Sequence, residues 1–172
     1  MSTQENLIPV KELRTMQIIV IAVPAGAALF SIIVLAMGNA TSQAAPVTDS
    51  SLPVMRIVHL ALTLYVLAIS KFLAKKVLSG KMKMRTNVVG QEQTFVQRYR
   101  SALIIQLALT EGCVLFGGVI FLIASTAGAV RTDPSYYFHF LPLLFFLVQA
   151  KILYPTEEKY VMALQEYESA AI

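Results

Sequence analysis

A single carboxylate, Glu111, interrupts the apolar run 101–125, SALIIQLALTEGCVLFGGVIFLIAS, near its middle. At ~1.5 Å per helical residue it lies about 16 Å beyond Arg100, halfway through a hydrocarbon layer of ~30 Å. A charged carboxylate at that depth costs at least ~2.5 kcal/mol, so Glu111 is expected to be neutral, or to face protein, water or a bound cation. Ala108, Glu111, Gly118 and Ser125 share a narrow helical face with Ser101, and such seams of small residues are where membrane helices meet. This directs Glu111 towards protein. Thr63 and the Pro24 region reach about the same depth, counted inward from the ends of their own apolar runs. The plain chemistry is a protonated acid donating to the Thr63 hydroxyl, or to the Val20 carbonyl that Pro24 deprives of its helical donor. The sharper chemistry is a carrier of H⁺ or another cation.

A second set of polar groups, Arg56, His59, Thr63 and Ser70, recurs at helical spacing and occupies one face of the run 53–73. Lipid disfavours all four, so the stripe should turn inward, with Arg56 near the external headgroups and His59 making a structural hydrogen bond or moving protons. The other histidine, His139, belongs to a different apolar run, so no metal pair is expected from the two. Pro142 is expected to free the Phe138 carbonyl and kink its helix. Cys113 reads as a small packing residue. There is no glycine-rich phosphate loop, no Cys or His cluster at metal-ligand spacing and no G-x-S-x-G motif. No enzyme activity, metal or cofactor is expected.

The elements that must hold these groups follow from composition. In 172 residues, 56% are hydrophobic and only 14% charged, with a mean hydropathy of +0.66, far too apolar for a soluble domain. Membrane helices are expected over 15–38, 53–73, 101–125 and 136–154, followed by a short amphipathic helix over 156–167 that begins at an N-capping Thr156. Its apolar face, Tyr160, Val161, Leu164 and Tyr167, should lie on the membrane or against a partner. The fold class is therefore all-α, a single integral-membrane four-helix bundle.

Charge sets the orientation. The basic loop 74–100, with its flank, carries Lys71, Lys75, Lys76, Lys81, Lys83, Arg85, Arg98 and Arg100 against one acid, Glu92. The positive-inside rule places this loop, and with it both termini, in the cytoplasm, most naturally at a bacterial inner (plasma) membrane. Lys81, Lys83 and Arg85 are candidate contacts for anionic lipid headgroups. The net charge of +4 is thereby accounted for by topology, and no nucleic-acid partner is expected.

Ala108-Leu109-Thr110-Glu111-Gly112, followed by Leu115-Phe116-Gly117, resembles the carboxylate-bearing helix of the rotor-ring proteolipids, subunit c of ATP synthases. The likeness covers one helix of four. It implies that Glu111 carries H⁺ or Na⁺ and that Thr110 is a neighbouring ligand. Three functions are thus in view. The first is a non-enzymatic subunit or accessory protein that associates with its own copies or with a larger membrane complex. The second is proton or cation translocation through Glu111, and the third is a lipid-responsive sensor using the basic loop.

Overall fold

The computed structural model describes residues 10–41, 51–79 and 95–169. Within them the chain forms α1 (Val10–Thr41), α2 (Ser51–Leu78), α3 (Phe95–Thr126), a one-turn α4 (Ala129–Thr132), a 3₁₀ stretch (Pro134–Phe140), α5 (Leu141–Leu153) and α6 (Glu157–Ser169). Helices α1, α2 and α3, and the 3₁₀ stretch taken together with α5, are each long and apolar enough to cross a bilayer. The protein is an all-helical membrane bundle.

Helix α3 is the centre of that bundle. Half of its most apolar window (50%) is buried, against 28% for α1, 22% for α2 and 28% for the fourth span. It packs along α1 on one flank and α2 on the other, while α5 and the 3₁₀ stretch lie across it. The α1–α3 seam is tight because a side chain at Gly118 would run into the Phe30 ring, and Ser125 Oγ donates to the Gly38 carbonyl. Leu103, Leu107 and Val114 of α3 close over Met16, Val20 and Ala27 of α1 and Phe146 of α5. Helix α3 then stops at Gly128, whose φ of 70° is a left-handed conformation that a Cβ would oppose.

Two expectations need correction. Helices α2 and α3 run past the predicted ends of their spans, to Leu78 and back to Phe95, so the loop expected over 74–100 is helical at both ends. Lys75, Lys76, Arg98 and Gln97 are good helix formers with long stems, and they extend the helices beyond the apolar core. Residues 80–94, including Lys81, Lys83 and Arg85, lie outside the described residues.

The fourth span is not one α-helix kinked at Pro142. It enters as a 3₁₀ stretch and converts to α-helix at Leu141, which puts Pro142 in the first turn. There its missing N–H is no loss. The Phe138 carbonyl is not freed either, since it accepts from the Leu141 N–H.

Helix α6 turns Tyr160, Leu164 and Tyr167 of its apolar face onto the chain itself. Tyr160 is buried with Leu13 and Phe95, and Leu164 and Tyr167 pack beside them. Tyr160 meets the Phe95 ring edge-on at 5.3 Å, and Arg98 donates to the Tyr167 hydroxyl at 3.0 Å. The turn into α6 is fixed by Lys159, whose ammonium donates to the carbonyls of Ile152 and Tyr154 and so occupies the open end of α5.

Candidate functional site

The polar stripe of α2 meets the 3₁₀ stretch at the end of the bundle away from Lys75 and Arg98. His59, Thr63 and Ser70 are buried, and Arg56, one turn outside His59, is partly exposed. Arg56 Nη2 lies 2.6 Å from Asp133 Oδ2, and its guanidinium stands 4.4 Å above the centre of the Tyr136 ring. Asp133 is also the N-cap of the 3₁₀ stretch and accepts from both the backbone N–H and the hydroxyl of Ser135. The Ser135 hydroxyl, then the Arg56 guanidinium and the Ser135 N–H, hold the Asp133 carboxyl down at about 2. This clasp joins the start of α2 to the start of the fourth span.

Behind the clasp the two histidines, from which no metal pair is expected, are hydrogen-bonded to each other. His59 Nδ1 and His139 Nδ1 are 2.7 Å apart, and His59 Nε2 is 3.0 Å from the Cys113 carbonyl of α3. A carbonyl only accepts, so His59 Nε2 carries a hydrogen. Taken as two neutral rings, the pattern then has one solution: His139 Nδ1–H donates to His59 Nδ1, and His139 Nε2 is left as a bare acceptor. That nitrogen is buried and has no hydrogen-bond partner. A zinc ion shared by two imidazoles would hold their nitrogens roughly 3.3 Å apart, so the 2.7 Å separation is that of a hydrogen bond. Among the described residues no group of three or more His, Cys, Asp or Glu is placed to hold a metal ion.

Gly117 makes the pairing possible. A Cβ there would overlap the His139 carbonyl and the His59 ring, so only glycine lets α2 and the 3₁₀ stretch close on α3 at this level. The sequence held a signal for the pair that depth counting alone could use. His59 is eight residues into α2, about 12 Å, and His139 five residues into a 3₁₀ stretch, about 10 Å. Read as α-helix the same five residues give only about 7.5 Å, so the match in depth sharpens when the start of the fourth span is read as 3₁₀.

The histidines, Arg56 and Thr63 line a cavity of about 340 Å³ between α2 and the fourth span. Thr63 Oγ1 and Arg56 Nε are further buried atoms on its lining residues without a hydrogen-bond partner, although the Cys113 thiol lies near Thr63. Deeper in the bundle, Thr63 and Thr110 border one narrow gap with Cys113 and Pro142. Thr110 donates within reach of the Gln106 carbonyl at 2.9 Å and Gln149 Oε1 at 3.0 Å.

Glu111 does not join this company. It is only half-buried, and among the described residues it makes no hydrogen bond or ion pair, either with Thr63 or with the Val20 carbonyl. The reason is angular: successive helical residues point about 100° apart, so Thr110 faces α2 and α5, while Glu111 lies at the edge of the seam that carries Gly118 and Ser125 against α1, next to the open side of α3. Ala108 and Gly112 beside it are exposed, and a Cβ at Gly112 would meet nothing within 4 Å. The structure therefore brings together His59, His139, Arg56, Asp133 and Thr63, and separates them from Glu111. Compared with known proteins, the chain matches no family model, no curated protein and no solved structure.

Proposed function

We propose that the protein is a non-enzymatic subunit of a membrane assembly, joined to a second copy or to another membrane protein along the uncovered face of α3. The observation that supports this is Glu111, a half-buried carboxylate near the middle of a spanning helix with no partner among the described residues. Such a group is costly against acyl chains. Ala108 and Gly112 flank it with open space, the setting in which a second helix approaches closely enough to supply a hydrogen bond. Lys71, Lys75, Lys76, Arg98 and Arg100 cluster at the end opposite the Arg56–Asp133 clasp, and by the positive-inside rule we assign that end, with both termini, to the cytoplasm of a bacterial cell.

Ion translocation through Glu111 is the weaker reading. Thr110, the ligand implied by the proteolipid likeness, is directed to Gln149 and Gln106 instead. Native mass spectrometry of the full chain in mild detergent, with a search for copurifying membrane proteins, tests the assembly. Oligomers or a stoichiometric partner, lost in Glu111→Leu and Gly112→Leu, are expected. A monomer with no partner overturns the proposal. Proton or Na⁺ flux in vesicles that Glu111→Gln abolishes would establish the transport reading in its place.

A further inference from the structure

The cavity between α2 and the fourth span is built around an unmet hydrogen-bonding need. His139 is 5% exposed, its Nδ1 is engaged by His59, and its Nε2 is buried without a partner. Thr63 Oγ1, 7% exposed as a residue, and Arg56 Nε are the other buried atoms without a partner on residues of the same wall. A buried acceptor left unpaired is expensive, and native structures rarely tolerate one without water or a ligand. Apart from Arg56, His59 and Ser135, the remainder of the wall is hydrocarbon. Leu60, Leu64, Phe138 and Phe145 line the cavity and are also exposed on the outside of the bundle, so its apolar flank faces the acyl chains, with Arg56 and Ser135 at its outer end.

The geometry points to a binding site for a neutral, hydroxyl-headed lipophile that enters from the bilayer. Its hydroxyl donates to His139 Nε2 and takes up the Thr63 hydroxyl as a second partner, while its apolar body lies along Leu64 and Phe145. Three features select this chemistry. The bonding pattern leaves His139 Nε2 as an acceptor, which calls for a donor. Arg56, the one cation at the rim, is already neutralised by Asp133, so an anionic head gains little charge pairing there, and its buried Nε–H, which has no partner, needs only a neutral acceptor such as a hydroxyl oxygen. A space of about 340 Å³ admits a small lipophile or the head of a larger one, within the range of known small-molecule pockets. The site is separate from the Glu111 face and does not depend on how the protein assembles.

The test uses the full chain in phosphatidylcholine nanodiscs, titrated with para-nonylphenol, with dodecanol and with the methyl ether of nonylphenol, which has the same body and no donor. Saturable binding of a hydroxyl compound is expected, with the ether about tenfold weaker, the value of one buried hydrogen bond. The tighter of the phenol and the alcohol tells whether the natural source is aromatic or aliphatic. His139→Phe should erase the preference for hydroxyl over ether. Leu64→Trp, placed on the lipid-facing rim and outside the packed core, should block binding of all three without loss of folding. Equal binding of phenol and ether, binding that Leu64→Trp leaves intact, or only unsaturable partitioning as into empty nanodiscs would overturn the site and leave the cavity to water.

Discussion

The histidine pair gives the most discriminating stability experiment. His59→Ala removes a 2.7 Å hydrogen bond to His139 and a 3.0 Å bond to the Cys113 carbonyl, together with the edge contact of its ring on Phe116 at 5.7 Å. At roughly 1 kcal/mol per hydrogen bond, with 1–2 kcal/mol more for the void, the loss comes to about 3–4 kcal/mol. His139→Ala breaks one bond and also removes the orphaned Nε2, so it should cost less, about 2 kcal/mol. Because both substitutions delete the same bond, the double variant should fall short of the summed singles by about 1–2 kcal/mol. This lies at the upper end for side-chain hydrogen bonds between membrane helices, since His139 has no alternative partner. Unfolding by SDS titration from detergent micelles measures all three. Singles that add to within about 0.5 kcal/mol would refute the pairing, because independent sites behave that way.

The neighbouring glycines should divide sharply. Gly117→Ala forces a methyl group into the His139 backbone and the His59 ring and should cost about 1–3 kcal/mol, whereas Gly112→Ala enters open space and should leave the unfolding midpoint unchanged or raise it slightly. In the Arg56–Asp133 clasp the folded-state carboxyl, at about 2, lies below its ordinary 3.8, so its contribution is complete above pH 4 and is lost as the pH falls towards 2. Thermal scans across that range should show a falling midpoint in the native chain and a flatter profile in Asp133→Asn. Lys159→Ala uncovers the carbonyls of Ile152 and Tyr154 and should destabilise the α5–α6 turn by about 1 kcal/mol, read as faster amide exchange confined to α6.

The spans were legible because bilayer length and apolar composition are one-dimensional quantities, and the runs around Val20, Val66, Val114 and Phe146 carry both. The inward turn of His59, Thr63 and Ser70 was legible for a similar reason, since their helical spacing fixes a common face whatever the neighbours are. What escaped depends on neighbours. His139 was paired by the 3₁₀ entry, whose longer rise and tighter turn no apolar count reveals, and by Gly117, whose importance lies in what presses against it. Glu111 shows a different limit. The seam it shares with Gly118 and Ser125 does meet α1, at Phe30 and Gly38, but a helical wheel contains no information about how far along its length a neighbour stays close, and Glu111 itself is left half-buried beside the exposed Ala108 and Gly112.

The central position of α3 bears on how the chain is made. Helices α1 and α2 have few residues in contact with each other, and each docks chiefly on a helix that begins only at Phe95. A ribosome delivering this polypeptide would release the first two segments into the bilayer before the piece that unites them exists. During that interval Arg56 lacks Asp133 and His59 lacks both His139 and Cys113. The amino-terminal half is thus a client awaiting its keystone, with its polar groups on display to whatever insertase or quality-control protease patrols the membrane.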